Sequence, residues 1–130
     1  ILTQKMLKEE TKFWHEIRNH KSKISWTRLE NSAAHGTPDL LGYNVNSTFF
    51  TVELKLKKFK KIPFSAHQIS FHLRHQKNTF IMVKTQQKAL GQRAVKLYEG
   101  TKIRELRDGV PGIKHVACGL DACCLFLERL

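Results

Sequence analysis

The stretch Phe49-Phe50-Thr51-Val52-Glu53-Leu54-Lys55-Leu56 constrains this chain more than any other. From about Thr48 to Leu56 apolar and polar residues alternate. Phe50, Val52, Leu54 and Leu56 take one side; Phe49, Thr51, Glu53 and Lys55 take the other. A period of two predicts a strand whose apolar side faces a core. It also sets a carboxylate and an ammonium group two residues apart on the opposite side.

The preceding segment, Asp39-Leu40-Leu41-Gly42-Tyr43, reads as a second strand, and Asn44, Asn46 and Ser47 are turn formers. A hairpin loop of about five residues would bring Asp39 directly across from Glu53, where same-face neighbours sit roughly 4.5–5.5 Å apart. A slip of one residue would turn Asp39 to the wrong side. Two carboxylates at that spacing repel unless something positive lies between them. Mg²⁺ suits them, because hard ions take carboxylate oxygens and keep several waters; Mn²⁺ is a plausible substitute. The backbone carbonyl of Leu54 or Val52 could complete the donor set, and Lys55 could face a phosphate.

Together these residues form a longer pattern: Arg28-Leu29-Glu30, then Gly36-x-Pro38-Asp39, then Glu53-Leu54-Lys55, then Gln68. It resembles the PD-(D/E)xK nucleases, and among them the VRR-NUC group and its Holliday-junction-resolvase-like relatives, over about Glu10 to Lys84. The resemblance implies a mixed α/β, restriction-endonuclease-like αβββαβ core. It also implies Mg²⁺-dependent hydrolysis of DNA phosphodiester bonds, with Asp39, Glu53 and Lys55 as the catalytic centre.

Upstream, about Thr3 to His20 reads as a helix, with Thr3 as its cap. Glu10 stands four after Met6, three after Leu7, three before Phe13 and four before Trp14, in the middle of the apolar stripe. A carboxylate there is costly without a partner; a metal or its waters would serve, and a partly exposed edge of the stripe is the alternative. The resembled group carries a Glu four residues before a Trp on this helix, which Glu10 matches. Ser25 to Asn31 reads as the first strand, with Trp26, Arg28 and Glu30 on one face. Arg28 and Glu30 match an R-x-E element of the group, and could equally form an ion pair on an exposed sheet surface. Asn31 to Thr37 reads as a polar loop arching over the site.

After Lys55 the chain continues with Lys57, Lys58, Lys60 and Lys61, read either as a phosphate-tracking edge or as a solvated loop. Phe59 and Phe64 interleave with them, to stack on a base or to pack. Ser65 opens a second helix, running to about His75, and Ser65 and Gln68 have capping-box spacing. The resemblance instead has Gln68 reach the metal site or the scissile phosphate. His67, His72 and Arg74 are candidate phosphate contacts. Thr79 to Lys84 reads as a short strand buried on both faces. Beyond it, Ala94 to Tyr98 and Lys102 to Leu106 read as a C-terminal hairpin, and Gly119 to Leu130 as a terminal helix. The whole is one nuclease domain over 1–130, with its core at about 3–84 and an extension at about 85–130.

A net charge of +12, spread over both halves of the chain, points to a polyanionic partner, with nucleic acid first. Three cysteines near the end make no disulfide framework and fit a reducing, intracellular setting. His115 with Cys118, Cys123 and Cys124 lacks the usual zinc spacing, so the thiols read as buried. No apolar run approaches a membrane span, and Ile1 to Lys5 lacks a signal-peptide layout.

These residues contain no helix-turn-helix or zinc finger, so recognition by shape and backbone is expected. The leading expectation is a Mg²⁺-dependent endonuclease acting on branched DNA such as a Holliday junction. It would work as a homodimer, with the C-terminal hairpin and last helix as the dimer contact and no small-molecule substrate. The alternatives are a flap, nick-directed or general nuclease, and a non-catalytic nucleic-acid-binding module that keeps the fold.

Overall fold

A computed structural model describes residues 4–29 and 35–130, with side chains from residue 8 onward. The order is α1 (Gln4–Asn19), β1 (Ser25–Arg28), β2 (Leu40–Tyr43), β3 (Phe49–Lys57), α2 (Ala66–Arg74), β4 (Thr79–Thr85), β5 (Val95–Glu99), α3 (Ile103–Asp108), β6 (Ala117–Cys118) and α4 (Leu120–Glu128). The fold is mixed α/β. One sheet runs β1-β2-β3-β4-β5-β6 in spatial order. All neighbouring strands are antiparallel except β3 and β4, which run parallel and are joined over the sheet by α2.

The alternation along β3 divides the core in two. Val52 pairs with Phe80 and Leu54 with Met82 in the parallel register. Together with Leu40, Phe50 and Leu97 they meet Phe13, Trp14 and Ile17 of α1 and Cys123 and Leu127 of α4. On the opposite side, Ile81, Val83 and Tyr98 meet Ile103 and Leu106 of α3 and Ile62, with Ile69 and Leu73 of α2 packed beside them. Each fully buried Phe, Ile or Leu contributes about 1.5–3 kcal/mol. The sheet is therefore held from both sides, and α2 lies on the side carrying Glu53 and Lys55.

One expectation changes. Lys102–Leu106 is not the second arm of a hairpin. Gly100–Lys102 is a 3₁₀ turn running into α3, because Ile103 and Leu106, three apart, bury together on one side of a helix. Gly109 ends it at φ 69°, donating to the Glu105 and Leu106 carbonyls. The partner of β5 is instead the two-residue β6. The last helix buries Cys123, Cys124 and Leu127 within its own chain and leaves Leu125 exposed. Thr3 and Glu30 lie outside the described residues. Among the described residues no helix is long and apolar enough to cross a membrane.

Candidate active site

The hairpin register decides the site. Leu40 pairs with Val52 and Tyr43 with Phe49, leaving a five-residue loop, 44–48. One step beyond the last pair, Asp39 stands across from Glu53. Asp39 extends the ladder by other means: its backbone carbonyl accepts the Leu29 N–H at 2.8 Å, and its side-chain Oδ2 accepts the Leu54 N–H at 2.8 Å. The N–H and C=O of a strand residue point to the same side, so the Leu54 carbonyl also opens toward Asp39.

Ahead of Asp39 the chain must approach α2 closely. Gly36 has φ +84°, and a Cβ there would lie 2.4 Å from the His67 carbonyl oxygen. Only glycine meets both demands. The His35 and His67 rings stack, with centroids 5.2 Å apart. The turn before Pro38-Asp39 is thus docked on the first turn of α2, which fixes where Asp39 enters the sheet.

Glu53 is only 2% exposed, and its Oε1 is buried without a hydrogen-bond partner. Burial first, and the adjacent Asp39 carboxylate second, push its carboxyl well above the usual range; Lys55 opposes the shift. Two carboxylates are both acceptors when ionised, so a proton or a cation must lie between them. Glu10 joins from α1. Burial and then Asp39 raise it, while Lys55 and Arg28 lower it. The three carboxylates share one electrostatic neighbourhood although Glu10 comes from the other side of the sheet.

Lys55 is held from two directions. Its Nζ donates to Gln68 Oε1 at 3.1 Å and lies 4.8 Å from the centre of the Phe64 ring. Gln68 makes the expected capping box and also touches Glu53. As the third helical residue it closes a capping box: Ser65 Oγ accepts the Gln68 N–H at 3.1 Å, and Gln68 Oε1 accepts the Ser65 N–H at 3.0 Å. Its Nε2 reaches Glu53 Oε2 at 3.5 Å, a long contact. The capping box therefore orients the amide between the acid and the ammonium. Phe64, weighed as a base-stacking residue, is half-buried beneath Lys55 instead.

The remaining candidates fall around this centre. Arg28 is exposed at the end of β1, close enough to Glu10 to lower its pKa. Lys57 follows Lys55 on the same side of β3, and Lys58, Lys60 and Lys61 are exposed on the loop beyond. His67 is exposed beside the turn containing Gly36. Arg74 sits at the far end of α2, six residues or about 9 Å from Gln68, bonded to the Ser70 carbonyl of its own helix. His72 faces inward, fully buried, with Nδ1–H donating to the Gln68 carbonyl at 2.8 Å. It is a packing residue and not a phosphate contact.

The donor set fits a hard divalent ion. A buried carboxylate oxygen on Glu53 without a hydrogen-bond partner lies beside a second carboxylate, with no soft ligand between them. Among the described residues no group of three or more His, Cys, Asp or Glu side chains is placed to hold a metal ion. Mg²⁺ does not require one, since it binds through one or two carboxylates plus waters and substrate phosphates. The cysteines lie apart: burial pushes the Cys123 and Cys124 thiols up to about 12, and Cys118 contacts the Arg93 carbonyl.

Compared with protein-family models, with curated proteins and with solved structures, the chain returns no match.

Proposed function

We propose that the chain is a metal-dependent DNA endonuclease that hydrolyses phosphodiester bonds at branched DNA. The observation that carries this reading is the buried Glu53 carboxyl with an unpartnered oxygen, set across from Asp39 and beside an ammonium group anchored by Gln68 and Phe64. A buried carboxylate beside a second, half-buried one is destabilising by itself. It makes sense as a receptor for positive charge.

Asp39, Glu53 and the Leu54 carbonyl would hold Mg²⁺, or Mn²⁺ in its place, with Glu10 orienting the surrounding waters. Such an ion supplies Lewis-acid polarisation of the phosphate and a more acidic attacking water. The protein's own groups do the rest. Asp39 is oriented by its bond to the Leu54 N–H. Lys55 orients the attacking water or neutralises charge gathering on the phosphoryl oxygens, and the Gln68 amide keeps it aimed. Lys57 and the lysines beyond it track the backbone by charge.

Branched DNA is favoured because a basic surface without a base-reading helix in a groove selects shape. Resolving a two-fold symmetric junction takes two sites, so this reading carries the expectation of a homodimer on DNA. One panel tests it: four-way junction, flap, linear duplex and single strand, each with Mg²⁺ and with EDTA. Cleavage of branched substrates only with Mg²⁺ is expected. Binding that is steeply salt-dependent, indifferent to EDTA and never followed by cleavage would instead leave a non-catalytic nucleic-acid-binding protein.

A further inference from the structure

The Lys57–Lys61 loop is anchored at both ends and presents an aromatic ring to solvent. At its start, the Lys57 carbonyl accepts the Gln86 N–H at 3.2 Å, prolonging the β3–β4 pairing. At its end, Ile62 is buried and donates its N–H to the Leu106 carbonyl at 3.3 Å. Gly109 packs against the Lys60 carbonyl and the Lys61 side chain. Between these anchors Phe59 is 79% exposed, the most exposed large apolar side chain among the described residues. Its neighbours Ile62 and Phe64 find partners in the core or beneath Lys55; Phe59 finds none.

Phe59 borders a groove of about 720 Å³ whose other walls are Lys57, Lys58, Lys60, Lys61, Thr85 and Gln87. Across Thr85 and Gln87 lies a second hollow of about 400 Å³, to which Lys12 and Lys88 add charge. Lys84 there is paired with Glu16 at 2.9 Å. Glu9 lines the hollow as well, accepting a hydrogen bond from Gln86, and Lys12 and Lys88 together outweigh its charge. The two hollows form one basic path over the C-terminal ends of β3 and β4. Glu53, Lys55 and Lys57 lie in line on one side of β3, about 6.6 Å per step, so the groove opens at Lys57 about 13 Å along the strand from Glu53.

We propose that this path holds an unpaired nucleic-acid strand running away from the candidate active site, with Phe59 stacking on one of its bases. An exposed ring set among lysines suits a single strand, which offers base faces and phosphates together. A paired duplex hides its base faces. The inference rests on the nuclease reading for the direction of the strand, but it concerns binding and is tested without cleavage.

In EDTA, affinity is measured for a single strand, a blunt duplex and a duplex with one single-stranded arm, using Phe59→Ala, Phe59→Trp and Lys58→Ala/Lys60→Ala. The wild type should prefer the armed duplex to the blunt one. Phe59→Ala should weaken binding to the single strand and armed duplex by about 5- to 150-fold, change the blunt duplex less than twofold, and leave the salt dependence unaltered. Phe59→Trp should restore affinity. The lysine pair should weaken every substrate and lower the logarithmic salt slope on single strand by about 1.4. A 2-aminopurine base in the arm should be quenched by the wild type and not by Phe59→Ala. Equal loss on all three substrates, no loss on any, or no preference for the arm overturns the proposal. The Mg²⁺ panel reads independently: arm preference without cleavage sinks the nuclease reading alone, and cleavage without arm preference sinks this one alone.

Discussion

Lys55 Nζ donates to the same Gln68 oxygen that accepts the Ser65 backbone N–H. A helix cap and a candidate catalytic ammonium therefore share one acceptor. The arrangement places Lys55 by means of the first turn of α2, an element 13 residues further along the chain at Gln68.

Removing that acceptor should harm both functions. Gln68→Ala is expected to cost about 0.5–2 kcal/mol of stability and to lower Mg²⁺-dependent cleavage about 10- to 100-fold by freeing Lys55. Ser65→Ala removes the other half of the capping box and should cost similar stability, yet leave the Ser65 N–H and Lys55 bonds to Gln68 in place, so cleavage should fall less than threefold. Urea unfolding beside single-turnover cleavage separates the two. If both variants lose activity in step with stability, Gln68 is a cap and nothing more.

Charge removal at the acid pair should trade activity for stability. Glu53→Gln relieves a buried carboxylate with an unpartnered oxygen and should raise the metal-free protein's stability at neutral pH by about 1–3 kcal/mol. Cleavage should vanish, as it should in Asp39→Ala and Lys55→Ala, while affinity for DNA in EDTA persists. Mg²⁺ should raise the wild-type Tm and leave that of Glu53→Gln unmoved. A destabilised Glu53→Gln, or one stabilised by Mg²⁺ as much as the wild type, would contradict the assignment of Glu53.

Gly36→Ala tests the turn that delivers Asp39. A methyl group there meets the His67 carbonyl oxygen at 2.4 Å with φ at +84°. The left-handed backbone alone costs about 1–2 kcal/mol, and relieving the contact must shift the turn against α2. Stability should drop by at least that amount, and cleavage about 100-fold, the expected effect of a displacement near 1 Å at Asp39. An active Gly36→Ala protein of unchanged Tm would show that the turn does not position the acid.

The pH dependence has contributions of opposite sign. Burial, ahead of the His75 and Lys55 charges, lowers the His72 pKa from 6.5. A lowered histidine binds its proton more weakly folded than unfolded. Its contribution is present in full above about 6.5 and is lost as pH falls through that value. Glu53 runs the other way: its raised pKa means that protonation favours the folded state, so stability is gained as pH falls from its folded pKa toward 4.5. Glu10, raised by burial and then by Asp39, acts in the same direction as Glu53. In Glu10→Gln/Glu53→Gln both carboxylate contributions are gone. The Tm of that protein should then decline from pH 7 to pH 5, at no more than about 1.4 kcal/mol per pH unit for the one histidine. Adding His72→Gln should flatten the profile, and matching profiles for the two proteins would refute the role given to His72.

Part of this arrangement was legible in the chain and part was not. The period of two along Phe49–Lys57 and the five residues between Tyr43 and Phe49 set the hairpin register, and with it Asp39 across from Glu53. The spacing of Ser65 and Gln68 announced the capping box. The segment from Lys102 to Leu106 was misread because Val95–Glu99 before it does alternate; the three-residue spacing of Ile103 and Leu106, with Gly109 beyond, is the signal for α3. His72 could not be told from its neighbours His67 and His75, since the side of α2 that faces inward depends on how α2 crosses the sheet.

By itself, then, the sequence determined which side chains share a strand face, because backbone pleating is local and has a fixed period. Tertiary structure alone decided that Glu53 is buried to 2% exposure, that Gln68 and Phe64 close on Lys55, and that Glu10 reaches the same neighbourhood from the opposite layer. Those facts depend on where α1 and α2 pack, and packing joins residues that no local period relates.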